Sequence, residues 1–156
     1  MRVLLQRVLA ASVEVEEKIV GEIGPGLVLF VASAPHDQSD DFEYLVTKIV
    51  NLRIFSDSAG RFDQSVLDVT GEILLISQFT LYADTRKGRR PSFMGAAPPE
   101  VAEPNLQMFA TMLRDTGIVV QTGRFGAQML VRVENDGPVT ISFDSGDRHT
   151  SGRGSS

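Results

Sequence analysis

The sequence predicts an α+β fold, an antiparallel, barrel-like β core carrying two main helices in a single domain. Three observations predict it. Apolar residues alternate or run continuously at strand length at both ends of the chain, beginning with Val3, Leu5, Leu9, Val13 and Val15. Helical spacing of apolar residues occurs in two places only, around Phe42–Val50 and Leu106–Leu113. The 156 residues contain no apolar run near the roughly 20 needed to span a bilayer. The expected domain covers 1–146, followed by a polar, Gly/Ser-rich, disordered tail at 147–156.

The elements follow in order. Val3 to Val15 reads as a long strand or hairpin arm, Glu16-Glu17-Lys18 as a polar turn, and Ile19-Val20 as the returning strand. Gly24-Pro25-Gly26 turns again, and Leu27-Val28-Leu29-Phe30-Val31 is apolar enough for a strand buried on both faces. Asp37 or Ser39 can cap the first helix, whose Phe42, Leu45, Val46, Ile49 and Val50 share one face. Arg53-Ile54-Phe55 leaves it as a short strand, and Glu72 to Ile76 is the next apolar strand. Residues 83–99 hold three glycines or prolines before Pro98-Pro99 and no usable period, which marks a long loop of the kind that is often functional. The second helix is expected over about 99–116, with Leu106, Phe109, Met112 and Leu113 buried and Gly117 past its end. Pro104 marks either a kink or the true start. Ile118-Val119-Val120, Met129 to Val133 and Val139 to Phe143 complete a strand-rich end.

Composition removes several classes of chemistry. Without cysteine there is no thiol nucleophile or thiolate metal site, and His36 and His149 are too few for a multi-histidine centre. Nothing calls for a metal or cofactor. The start, Met1 to Arg7, is too soon charged for a signal peptide, so a cytoplasmic protein without membrane contact is expected. The formal charge of −5 argues against coating nucleic acid. Arg86-Lys87-Gly88-Arg89-Arg90 is the local exception: either a solvated loop or a grip on a phosphate chain. Gly123-Arg124-Phe125-Gly126 reads as a loop between strands rather than a nucleotide clamp.

Two short words carry the functional signal. Ser77-Gln78-Phe79-Thr80-Leu81 ends an apolar strand with polar side chains where it should stay greasy. If that run is extended, Gln78 and Thr80 share one face. Thr80 lacks a nearby base and is a poor nucleophile, so its hydroxyl is either structural or places one hydrogen bond. Asn135-Asp136-Gly137-Pro138-Val139-Thr140 sets a Gly-Pro bond at the start of a strand, where a cis form would aim backbone carbonyls unusually.

With both words present, the chain resembles the D-aminoacyl-tRNA deacylases of the bacterial and eukaryotic type, over nearly everything up to Asp144. Gln6-Arg7-Val8, Lys48 to Phe55, Lys87 to Phe93 and Thr122 to Ala127 extend the likeness, while Gly60-Arg61-Phe62-Asp63 departs from it. The resemblance implies a homodimer that hydrolyses the ester between a D-amino acid, or glycine, and the 3′ acceptor end of tRNA. It implies a reaction centre at Ser77, Gln78, Phe79 and Thr80, and a cis Gly137-Pro138 that reaches the partner's pocket and excludes L-amino acids. Arg7 is the expected support of that motif, and Arg86, Lys87, Arg89 and Arg90 the expected tRNA contacts. A noncatalytic tRNA-binding module is the rival from another class.

Overall fold

The computed structural model describes residues 1–150. β1 (Arg2–Val15) turns into β2 (Lys18–Ile23) through Glu16 and Glu17, whose φ of 50° and 64° suit the twist of a two-residue hairpin. β3 (Gly26–Ala32) lies antiparallel to β1 and leads into α1 (Ser39–Asn51). A small hairpin of β4 (Phe55–Ser56) and β5 (Phe62–Gln64) precedes β6 (Glu72–Ser77). Next come α2 (Pro99–Asp115), β7 (Val120–Thr122) and β8 (Leu130–Asp144).

The sheet runs β2-β1-β3-β6-β7, with β8 also on β1. It is mixed, which corrects the expected antiparallel core: β3–β6 and β6–β7 are parallel pairs. Each of those connections contains a helix, and a helical crossover is what returns a chain in the same direction. The barrel nearly closes where β2 meets the end of β7, since a Cβ on Gly21 would stand 2.9 Å from the Thr122 carbonyl oxygen.

β3 and β6 are buried on both faces. Leu27, Leu29, Val31, Ile73 and Leu75 pack against Phe42, Leu45 and Ile49 of α1 and Phe109 and Leu113 of α2, with Met112 at the margin. Val28, Leu74 and Ile76 pack instead against Val8, Ala11, Val13 and Ile23, where β1 and β2 curl over the second face. Two apolar faces explain the continuous hydrophobic runs of these central strands.

Several boundaries move from the sequence reading. Gln38 occupies the cap position of α1, its N–H donating to Asp41 at 2.9 Å, whereas Asp37 accepts from the Ala34 N–H at 2.7 Å and the Met1 ammonium at 2.6 Å. The strand expected at 53–55 is shifted to Phe55–Ser56. Pro104 lies inside α2, which starts at Pro99. The two strands expected at 129–133 and 139–143 are one long β8. The start of the expected tail is ordered as a 3₁₀ turn, Ser145–His149, because Arg148 has acids to meet on α1: Asp41 at 3.1 Å and Asp40 at 3.8 Å. The remainder of that tail, 151–156, lies outside the described residues. Among the described residues no helix is long and apolar enough to cross a membrane.

Candidate active site

β6 runs out of partners at Ser77. The Gln78 N–H donates to the Val31 carbonyl at 2.8 Å, and then the chain coils into a 3₁₀ turn, Phe79–Tyr82. The extended run expected through Leu81 is therefore corrected, because β3 ends at Ala32 and β7 pairs with β6 only as far as Leu75. The turn still brings Gln78 and Thr80 together, the Gln78 amide donating to the Thr80 hydroxyl. The N–H groups of Phe79 and Thr80 head the turn and have no acceptor among the described residues, as expected for the first donors of a helical turn. Arg2 ties the turn to β1, its Nη1 donating to the Leu81 carbonyl at 3.1 Å and its guanidinium 4.5 Å from the Tyr82 ring. Burial, then the carboxylates of Asp37 and Asp144, push the Tyr82 phenol upward, so it stays protonated.

Beside this turn opens a pocket of about 650 Å³. Its floor is the ends of β3 and β6, including Ser77 and Gln78, and Phe79 stands at its edge. One wall is Phe93 and the Ala96–Pro99 segment leading into α2; the other is Phe125 with Met129. Phe79 and Phe93 meet edge to face at 5.0 Å. Phe93 closes the basic loop, so that loop and the pocket share a wall.

The second word forms a separate device on β8. Gln6 pairs with Thr140 and Val8 with Asn135, so the residues between leave the ladder as a loop opposite Arg7. The Asn135 side chain closes its neck: Oδ1 accepts the Val139 N–H at 2.8 Å, and Nδ2 donates to the Val139 carbonyl and the Thr140 hydroxyl. Arg7 is 8% exposed and lies beneath. Its Nε donates to the Asp136 carbonyl at 3.0 Å, its Nη1 to the Ile54 carbonyl at 2.6 Å, and the Asp136 carboxylate stands 3.5 Å away. Its guanidinium also lies 5.3 Å from the Phe62 ring, so the departing segment 60–63 belongs to this support. The Gly137-Pro138 bond is cis. Gly137 has φ 136°, and a Cβ there would come within 3.0 Å of Arg7 Nη2, so only glycine fits.

The candidate residues thus fall into two groups within one chain. Ser77, Gln78 and Phe79 line the pocket with Thr80 adjoining; Arg7, Gly137 and Pro138 form the loop and its support. Gly137 and Pro138 are exposed and absent from the pocket wall. In the basic loop, Asp84 holds Arg86 through hydrogen bonds of 2.7 and 2.9 Å, while Lys87, Arg89 and Arg90 are exposed and pair with no acid among the described residues. Both histidines are exposed and line no part of this pocket. Phe93, Phe125 and Met129 were missed as site residues, although Phe93 and Phe125 stand in motifs that carry the resemblance.

The family profile described as D-Tyr-tRNA(Tyr) deacylase matches residues 4–144. A D-aminoacyl-tRNA deacylase of Herpetosiphon aurantiacus is 54% identical over 147 residues, spanning 94% of this chain and 96% of that protein. Among solved structures, the c-Myc DNA Unwinding Element Binding Protein superposes with a TM-score of 0.87 at 40% identity, over 92% of this chain and 98% of the other. A probable eukaryotic D-amino acid tRNA deacylase shares the fold at 21% identity and a TM-score of 0.79, over 91% and 97%.

Proposed function

The chain belongs to the D-aminoacyl-tRNA deacylase family and is a hydrolase of that ester; from this premise we propose how its residues divide the work. The terminal adenosine and its aminoacyl ester enter the pocket beside Ser77–Thr80. The N–H groups of Phe79 and Thr80 bind the oxygen that gains charge as water attacks the acyl carbon. The ester bond to the 3′ oxygen then breaks, and that oxygen takes up a proton. The 2′-hydroxyl of the adenosine assists the water, and Thr80 orients rather than attacks. The single observation that carries this assignment is a turn offering free N–H donors beside a pocket with no histidine in its wall.

Chiral selection is assigned to the Gly137-Pro138 loop of a second copy. The loop is exposed and lies apart from the pocket wall, so a partner must supply it if the two act together. Its carbonyls would take the α-amino group, leaving no room for an L side chain, and glycyl-tRNA would be accepted with D-aminoacyl-tRNA. Lys87, Arg89 and Arg90 contact phosphates of the acceptor end, and the cytoplasm is the assigned location.

The test is release of labelled D-tyrosine, L-tyrosine and glycine from charged tRNA by the purified protein, with its mass in solution measured alongside. D-tyrosine and glycine are expected to be released and L-tyrosine retained, by a dimer. Equal release of both enantiomers would overturn the chiral assignment. A monomer with full selectivity would overturn the role of the second copy. Binding without turnover would favour a noncatalytic nucleic-acid module, the reading to which the basic loop would then belong.

A further inference from the structure

A second cavity, of about 480 Å³, lies between α2 and the turn after β7. It shares Ser77, Leu106 and Phe125 with the first pocket, so the two adjoin as one groove with these residues common to both. Its character is different. Among the described residues the first pocket's wall contains no charged side chain, whereas the second is lined by Arg114, Arg124, Gln107, Thr111 and Thr122, with Glu103 as the one acid.

The turn that supplies Arg124 is built to present it. Gly123 is pressed against the barrel, where a Cβ would stand 2.6 Å from the Met129 sulfur, and its N–H donates to the Leu75 carbonyl at 3.1 Å. Gly126, with φ 75°, completes the reversal, and the Ala127 N–H returns to the Arg124 carbonyl at 3.2 Å. Phe125 therefore turns into the groove, packed on the main core, while Arg124 stays exposed and, among the described residues, has no carboxylate or carbonyl partner for its side chain. Arg114, by contrast, is pinned by Nε and Nη2 to the Val120 carbonyl.

We infer that this second cavity holds the nucleotide preceding the terminal adenosine, with Arg124 on the phosphodiester between the two. The inference rests on the terminal adenosine occupying the first pocket, as proposed above. A bound adenosine must continue its chain in the 5′ direction, and this adjoining cavity is open and presents the Arg124 guanidinium. A guanidinium suits a phosphodiester through paired N–H donors. The Gly123-Arg124-Phe125-Gly126 segment then acts as one unit, its aromatic ring separating two nucleotides and its guanidinium holding the link between them.

The test compares two small substrates, the D-tyrosyl ester of adenosine and that of cytidylyl-(3′→5′)-adenosine, with the full-length protein. The dinucleotide ester is expected to show a kcat/KM about five- to tenfold higher, carried by KM, which corresponds to one exposed charge-assisted hydrogen bond. Replacing the linking phosphate by a neutral methylphosphonate, or making Arg124→Gln, should bring the ratio of the two esters to about one. Arg124→Lys should retain part of the ratio. Turnover of both esters with no dinucleotide advantage, or an advantage that survives Arg124→Gln, would overturn the subsite alone. Failure of the unaltered protein to cleave either ester would overturn the deacylase site and this subsite with it.

Discussion

The carboxamide of Asn135 pairs with both backbone groups of Val139, taking its N–H at 2.8 Å and giving to its carbonyl at 3.2 Å. One side chain thereby does for the neck of the Gly137-Pro138 loop what ladder hydrogen bonds do for the strand on either side. Asn135→Ala leaves the backbone of the buried Val139 without these partners, a loss of about 1–3 kcal/mol. Thermal unfolding should fall by several degrees, and D-aminoacyl-tRNA turnover by more than the same destabilisation placed elsewhere. Asn135→Asp keeps the acceptor for the Val139 N–H and should fall between. Wild-type kinetics in Asn135→Ala would mean that the loop holds its shape without this neck.

Thr80 and Gln78 share one hydrogen bond, so their substitutions should not add. Thr80→Ala should lower kcat ten- to a hundredfold, about 1.4 kcal/mol for each tenfold. Gln78→Ala should lower it less, and the double variant should resemble Thr80→Ala alone. An acyl-enzyme trapped on Thr80 by rapid quench and mass spectrometry would instead make it the nucleophile.

Within the basic loop the four cations are not equivalent. Arg86 is already held by Asp84, whose carboxyl this pairing keeps below its ordinary pKa, whereas Lys87, Arg89 and Arg90 face solvent. Neutralising any one of the last three should reduce the slope of log K against log salt by about 0.7–0.9 for each phosphate that the variant no longer neutralises. Arg86→Gln should change it less. A salt slope indifferent to all four would make the loop plain solvated surface.

Acid stability should depend on Asp41. Burial works to raise its pKa, but the Gln38 N–H, Ser145 and Arg148 together hold it below its ordinary 3.8. A carboxylate depressed in the folded state contributes stability above its unfolded pKa and loses it as pH falls through the folded one. Melting temperature should therefore be level above about pH 5 and decline below pH 4. Asp41→Asn should lower the plateau and flatten the acid decline, because the amide cannot titrate. An unchanged acid limb would assign the loss to Asp144, which is depressed for similar reasons.

Both helices were legible because their apolar faces repeat every 3.6 residues, and Phe42, Leu45, Ile49 and Phe109 all reached the core. The direction of strand pairing was read as antiparallel throughout and is mixed, since alternation is the same in parallel and antiparallel strands. Connections of helix length between β3, β6 and β7 were the available clue. The strand end at Ser77 was overrun because Phe79 and Leu81 continue an apolar rhythm, yet Phe79 is 57% exposed. β8 read as two strands because Gly-Pro resembles a break, whereas the ladder with β1 resumes beyond it. The site words were found because each is local. The pocket wall was not, because Phe93, Phe125 and Met129 come from separate segments with no shared period.

The loop on β8 is also matched by a second irregularity in the same ladder. From Gln6 to Val8 β1 advances two residues while β8, from Thr140 back to Asn135, advances five; from Val8 to Ala10 β1 advances two while β8 advances one. Between Gln6 and Ala10 β8 is thus two residues longer than β1, an even excess that keeps the two strands in phase on either side. Leu5 and its partner Ile141 face the helices, whereas Ala11 and its partner Val133 face the opposite apolar cluster, so both strands cross from one core to the other together. Loop and bulge are therefore coupled: a single insertion or deletion in the loop, unmatched in β1, would put one half of β8 out of phase with its partner.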